Sequence, residues 1–164
     1  MTVIDELVQA NKSYAEAFTK GALALPPARK VALVVCMDAR IDPAKALGLQ
    51  EGDAHVIRNA GGRFADAARS LAISQTLLGT EEVAFVHHTD CGMLTFTDAD
   101  IRKQLKDQRS VDADHIAFLP FGDLDESVRA DLRAYKASAL LRQDIPVRGF
   151  VYDVKSGAVR EVKL

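Results

Sequence analysis

Cys36, His88 and Cys91 have the residue types and the spacing to hold a metal ion. In His88-Thr-Asp-Cys91 the histidine and cysteine stand three apart on what reads as one loop, able to turn toward a common point. Cys36 is remote in sequence and joins them only if the fold sets two strand ends side by side. Thiolate plus imidazole is a donor set that suits zinc, and two thiolates with one imidazole leave the fourth tetrahedral position open. An open position marks a catalytic rather than a structural site, because water or substrate must bind there. The plainer alternative is that both cysteines are small buried hydrophobes and the histidine is solvated. A Cys36–Cys91 disulfide is disfavoured if the chain lives in a reducing compartment.

Cys36-Met-Asp-Ala-Arg40 adds a carboxylate and a guanidinium two residues apart. An arginine held bidentately keeps Asp38 ionised and oriented, and beside an activated water that carboxylate could accept its proton or hold its hydrogen. Without zinc ligands nearby, Asp38 and Arg40 read as an ordinary surface pair. His87 precedes His88, and strand-like alternation turns its side chain the other way, toward a structural role. His55 and His115 read as bystanders. Asp90 either supports its loop, takes a hydrogen bond from a ligand or caps the turn after a strand. A redox pair is disfavoured by the lack of C-x-x-C spacing.

These residues need elements to carry them. Val31-Ala-Leu-Val-Val35 is a continuous apolar run with Cys36 at its end, and Val83-Ala-Phe-Val86 runs into His87 and His88. Two such strands, parallel and adjacent, would deliver both ligand sets to one edge, where ligands collect in folds of this kind. Around them the pattern predicts an amphipathic helix over 2–18 behind Thr2, ended by the Ala-Leu-Pro-Pro stretch, and a helical turn after Pro43. A strand at Ala54–Ile57 follows, then a Gly-rich corner Asn59–Gly62 and a helix over 64–78. Thr97 with Asp100 resembles a capping box for a helix to about 107, residues 108–122 read as irregular, and 123–141 as a helix. Val147–Val154 and Ala158–Val162 close the chain as a strand hairpin through Ser156-Gly157. The expected fold is α/β: a single domain, 1–164, with a mostly parallel central sheet flanked by helices, an N-terminal amphipathic helix and a C-terminal hairpin.

Composition narrows the function. With 164 residues, 48% hydrophobic and 27% charged, the chain buries enough surface to fold without a structural metal, so a metal here would be functional. A formal charge of −2 and no Lys/Arg cluster argue against nucleic-acid binding. No apolar run suits a membrane span and the N-terminus lacks the basic start of a signal peptide, so the expected location is the cytoplasm, with both cysteines as thiols.

Taken together, Cys36-Met-Asp-Ala-Arg40, Arg58-Asn-Ala-Gly-Gly62 and His88-Thr-Asp-Cys91-Gly92 resemble the β-class carbonic anhydrases, in order and spacing, from about Val31 to the closing strands. The short chain and the His-Thr-Asp-Cys-Gly-Met loop resemble a small microbial branch that also includes carbonyl sulfide and carbon disulfide hydrolases. The resemblance implies one Zn(2+) per chain on Cys36, His88 and Cys91, an Asp38–Arg40 catalytic dyad, and reversible hydration of CO2 to bicarbonate by a zinc-generated hydroxide. It implies substrate contacts from Gln50, with Arg58, Asn59 and Gly61 shaping the pocket wall, and at least a homodimer, or a dimer of dimers, clasped by the N-terminal helix. In some family members the dyad aspartate swings onto zinc at low pH, so activity would rise as pH passes about 8. The alternatives are hydrolysis of COS or CS2 at the same site, and a non-catalytic zinc-binding or bicarbonate-sensing protein.

Overall fold

The computed structural model describes residues 1–164. Ten elements follow in chain order: α1 Val3–Glu16, β1 Val31–Cys36, α2 Pro43–Leu47, β2 Ala54–Asn59, α3 Phe64–Leu77, β3 Glu82–His88, α4 Asp98–Arg109, α5 Leu124–Ala137, β4 Val147–Tyr152 and β5 Val159–Val162. The sheet order is β2-β1-β3-β4-β5, the first four strands parallel and β5 antiparallel. This is the α/β fold expected from the alternation of apolar strands and amphipathic helices.

β1 is buried along nearly its whole length because both its faces are covered. Ala32 and Val34, with Phe85 of β3 and Val151 of β4, form the main core with Phe64, Ala67 and Leu71 of α3 and Val128, Leu132 and Tyr135 of α5. The alternate residues Leu33, Val35 and Val86 form a smaller cluster with Ile41 on the opposite face, where Leu47 of α2 packs. α5 lies so close to β4 that a Cβ at Gly149 would stand 2.3 Å from Val128 Cγ1, so only glycine fits there. Both capping boxes are present, Thr2 with Asp5 and Thr97 with Asp100.

The structure shifts several boundaries. α1 stops at Glu16, well ahead of Pro26, and α5 stops at Ala137 rather than about 141, with the Ser138 N–H bonded to Tyr135 O. β3 runs through His88, so that histidine ends a strand instead of sitting on a loop. No residue of α1 is buried, and it is tied to the rest of the chain by Tyr14 Oη, which donates to Glu51 Oε1 at 2.6 Å. No helix is long and apolar enough to cross a membrane.

Candidate metal centre

Parallel pairing puts Val35 opposite Val86, so the C-terminal ends of β1 and β3 finish side by side. Cys36 caps the first, His88 the second, and a turn of four residues returns Cys91 to the same point. The ligand atoms of all three lie within 4.8 Å of one another and all three residues are buried. The Sγ atoms of Cys36 and Cys91 are 4.0 Å apart. A disulfide would need about 2.05 Å, whereas two sulfurs about 2.3 Å from one tetrahedral ion stand roughly 3.8 Å apart. His88 Nδ1 donates to Thr89 O at 2.8 Å, which leaves Nε2 as the unprotonated nitrogen. That Nε2 is buried with no hydrogen-bond partner. Buried polar atoms are almost always satisfied, so an orphaned lone pair aimed at two thiols is the signature of an atom meant for a cation, and the donor set fits zinc.

Electrostatics agree. The Cys36 thiol is pushed well below its ordinary range, chiefly by a hydrogen bond from the Cys91 thiol, with the N–H groups of Asp38 and Gly61 adding to it against the effect of burial. The same contact and burial push Cys91 up. One negative charge is thus easily formed in the pair and a second is resisted, which is the balance a divalent cation reverses.

Arg40 grips Asp38 bidentately, Nε to Oδ1 at 3.0 Å and Nη2 to Oδ2 at 2.8 Å, while its own N–H donates to Oδ1 at 2.8 Å. The guanidinium is the main reason Asp38 is held well below the usual carboxylate range. Asp38 Oδ2 stands 3.8 Å from His88 Nε2, so the carboxylate borders the ligand cluster while its Arg40 pair stays intact. Arg40 also reaches across to the second ligand segment, Nη1 to Asp90 Oδ2 at 2.7 Å and Nη2 to Asp90 O at 2.9 Å. Asp90 has a left-handed backbone, φ +54°, which turns its carbonyl and carboxylate toward the same arginine. Of the roles open to Asp90, the structure selects loop support, through a partner its spacing did not identify.

The remaining predicted residues divide. Arg58 Nε donates to Cys36 O at 3.0 Å and Nη2 to Asp38 O at 2.7 Å, so Arg58 holds the backbone that carries Cys36 and Asp38. Asn59 closes the Gly-rich corner, accepting from Arg63 N at 2.6 Å and donating to Arg63 O at 2.9 Å. Gly62, φ +67°, passes so near β1 that a Cβ would lie 3.0 Å from Cys36 N, and a Cβ on Gly61, φ +81°, would meet Met93 and Phe121. Gln50 lies toward the opposite end of β1 from Cys36 within the chain. It precedes Ala54, which pairs with Val31 at the far end of β1, about 17 Å along the strand from Cys36, because a parallel neighbour starts where β1 starts. His87 turns away as alternation predicts and bonds Ser127 and Asp131, and His55 bonds Ser74 Oγ.

Sequence reasoning missed the apolar wall. Met93 joins Cys36 and Cys91 in one buried cluster, with Leu94, Phe96 and Phe121 packed on it. The last three also line a cavity of about 380 Å³. Met93 follows the ligand motif directly and was legible by position. Phe121 lies in the irregular 108–122 stretch, where no periodicity points anywhere.

The carbonic anhydrase family model matches residues 31–117. The β-carbonic anhydrase 1 of Mycobacterium tuberculosis is 46% identical, over 99% of this chain and 99% of that protein. A carbon disulfide hydrolase of Acidithiobacillus thiooxidans is 31% identical over 84% of this chain and 79% of its own. The solved carbonic anhydrase of Streptococcus mutans superposes with a TM-score of 0.95, at 49% identity and 99% coverage of both chains. With that identity over its whole length, and with the thiol, imidazole and carboxylate pattern gathered at one sheet edge, this chain belongs to the carbonic anhydrase family, in its β class.

Proposed function

We propose that the chain catalyses reversible hydration of CO2, CO2 + H2O ⇌ HCO3⁻ + H⁺, with one zinc ion per chain held by Cys36, His88 and Cys91. The observation that carries this reading is the buried, partnerless Nε2 of His88 facing two thiols beside an arginine-held aspartate. When bound there, zinc supplies the Lewis acidity that lowers the pKa of water toward neutrality. The other contributions come from the chain. The Thr89 carbonyl fixes the His88 tautomer so that Nε2 is free for the ion. Asp38, kept ionised by Arg40, accepts the hydrogen of the attacking oxygen and leaves a lone pair directed at carbon. Arg40, through Asp90, ties the two ligand segments together, and Arg58 holds the Cys36 and Asp38 carbonyls. Met93 and the side chains packed on its cluster supply an apolar surface for CO2.

The working unit is a homodimer. Ile4, Leu7 and Val8 line an exposed apolar face of α1, and the open face of the sheet carries an apolar hollow of about 220 Å³ among Val31, Leu33, Leu47, Ala84, Val86 and Phe150. Two copies would cover both surfaces with one exchange. The free thiols fit a cytoplasmic setting.

Stopped-flow CO2 hydration on protein of confirmed zinc content tests the reading. Turnover that is lost in Asp38→Ala supports it. Zinc-loaded protein that ignores CO2 but hydrolyses COS, or CS2 as the name of its 31% identical relative has it, transfers the same machinery to another substrate. Tight zinc without turnover on any of the three makes it a sensor.

A further inference from the structure

His87, beside a proposed ligand, is fully buried and engaged at both ring nitrogens: Nδ1 lies 2.7 Å from Ser127 Oγ and Nε2 3.0 Å from Asp131 Oδ2. Asp131 in turn takes Arg63 Nε at 2.9 Å and Arg63 Nη2 at 3.1 Å, in an ion pair only 12% and 4% exposed. The Ser–His–Asp composition does not make a nucleophile, since Ser127 is closed to any substrate and its hydroxyl also donates to Leu124 O. A buried ion pair adds little net stability over apolar packing, so its presence asks for a use.

We propose that Asp131 is a positioning residue for the metal centre: through His87 it fixes the end of β3 that carries His88, and through Arg63 it holds the 119–121 strap with Phe121 against Met93 and Gly61. The inference rests on the metal reading above. Adjacent strand residues face opposite sides, so anchoring the His87 ring to α5 sets the backbone rotation that aims His88 at the cysteines. On the other arm, Arg63 Nη1 donates to Leu119 O at 2.9 Å, and Leu119 sits at φ +62°, a conformation leucine adopts only when held. Phe121 is stacked on the His87 ring, centroids 5.7 Å apart, and lies under the Arg63 guanidinium at 5.4 Å. Its N–H donates to Met93 O at 3.1 Å, just past Cys91, and its ring closes on Gly61. Both the strand bearing His88 and the turn bearing Cys91 therefore refer their positions to one carboxylate on α5.

Two variants test this. Arg63→Gln with Asp131→Asn removes the ion pair as a unit and leaves no lone buried charge. His87→Gln keeps the ion pair and cuts only the link to β3. Val128→Ala, a core change on the same helix, serves as the comparison for plain loss of stability. Zinc affinity is read by chelator competition, and ligand geometry from the visible bands of the cobalt(II)-loaded protein. The double variant is expected to lose on the order of tenfold in zinc affinity, His87→Gln several-fold, and both to shift the cobalt bands, while Val128→Ala keeps the bands and stays within twofold. Unchanged bands with affinity within twofold in the folded His87 or Asp131 variants, or an equal loss in Val128→Ala, overturns the proposal. A parent chain that binds zinc yet leaves CO2 alone overturns the activity and not this inference, which the affinities decide; a parent with no zinc affinity overturns both.

Discussion

The C-terminal edge of the sheet and the N-terminal helix present chemically different groups. At the sheet edge the polar groups of Asp38, Arg40, Arg58 and Asn59 all have partners, and His88 Nε2 alone does not. In α1 the backbone is well capped, yet no side chain is buried and Ile4, Leu7 and Val8 face outward. The first region turns on one atom and the second on a surface. A site for a single ion shows as one unpartnered lone pair among satisfied neighbours, because an ion is bound by a few directed donor atoms. A docking face shows as a whole apolar stripe, because burial is additive over area and no single contact specifies it.

The strongest way to break this contrast is to remove a ligand. Cys36→Ala or His88→Ala should abolish stoichiometric zinc and lower CO2 hydration by about 10³-fold or more, while circular dichroism stays close to the parent's, since the fold does not depend on the ion. Metal analysis beside stopped-flow rates checks both halves. Asp38→Ala should keep zinc near one per chain and still lose roughly 10²- to 10³-fold in kcat/KM, separating proton handling from metal holding.

Gly62→Ala sharpens the claim that the edge is rigid. A Cβ 3.0 Å from Cys36 N at φ +67° forces the Gly-rich corner away from β1. The expected loss is about 1–3 kcal/mol in thermal or denaturant unfolding, with weaker zinc binding. Ile4→Glu with Leu7→Glu attacks the other region. Sedimentation should give at least twice the 17.8 kDa chain mass for the parent and about that chain mass for the variant, with the zinc content kept.

The smallest expected effect concerns pH. Asp38 is depressed by Arg40, so whatever its ion pair contributes is fully present above the ordinary carboxylate range and is lost only as pH falls through the lowered value. Asp90 is depressed by the same arginine and behaves alike. Acid loss of activity near neutrality therefore does not come from protonating Asp38. A rate that climbs as pH passes about 8 would instead report Asp38 leaving Arg40 for the zinc at lower pH, and a flat profile from about pH 6.5 to 9 would dismiss that exchange.

What the sequence determined by itself was the chemistry and the strands that carry it. Cys36 ends an unbroken apolar run and His88 stands two residues past another, and parallel strands of that kind have one shared C-terminal edge, so the meeting of Cys36, His88 and Cys91 was legible from types and order. The capping boxes at Thr2 and Thr97 were equally readable, because they are satisfied within four residues. Gln50 shows the limit of such reading: its closeness to Cys36 along the chain does not place it beside Cys36 once a crossover returns β2 to the start of β1. Only the tertiary structure decided that Arg40 holds Asp90, that Arg58 grips the Cys36 and Asp38 carbonyls, and that Arg63, Asp131 and Phe121 converge behind the centre. Those contacts join residues tens of positions apart through side chains whose partners are chosen by packing and burial, and neither periodicity nor spacing carries that information.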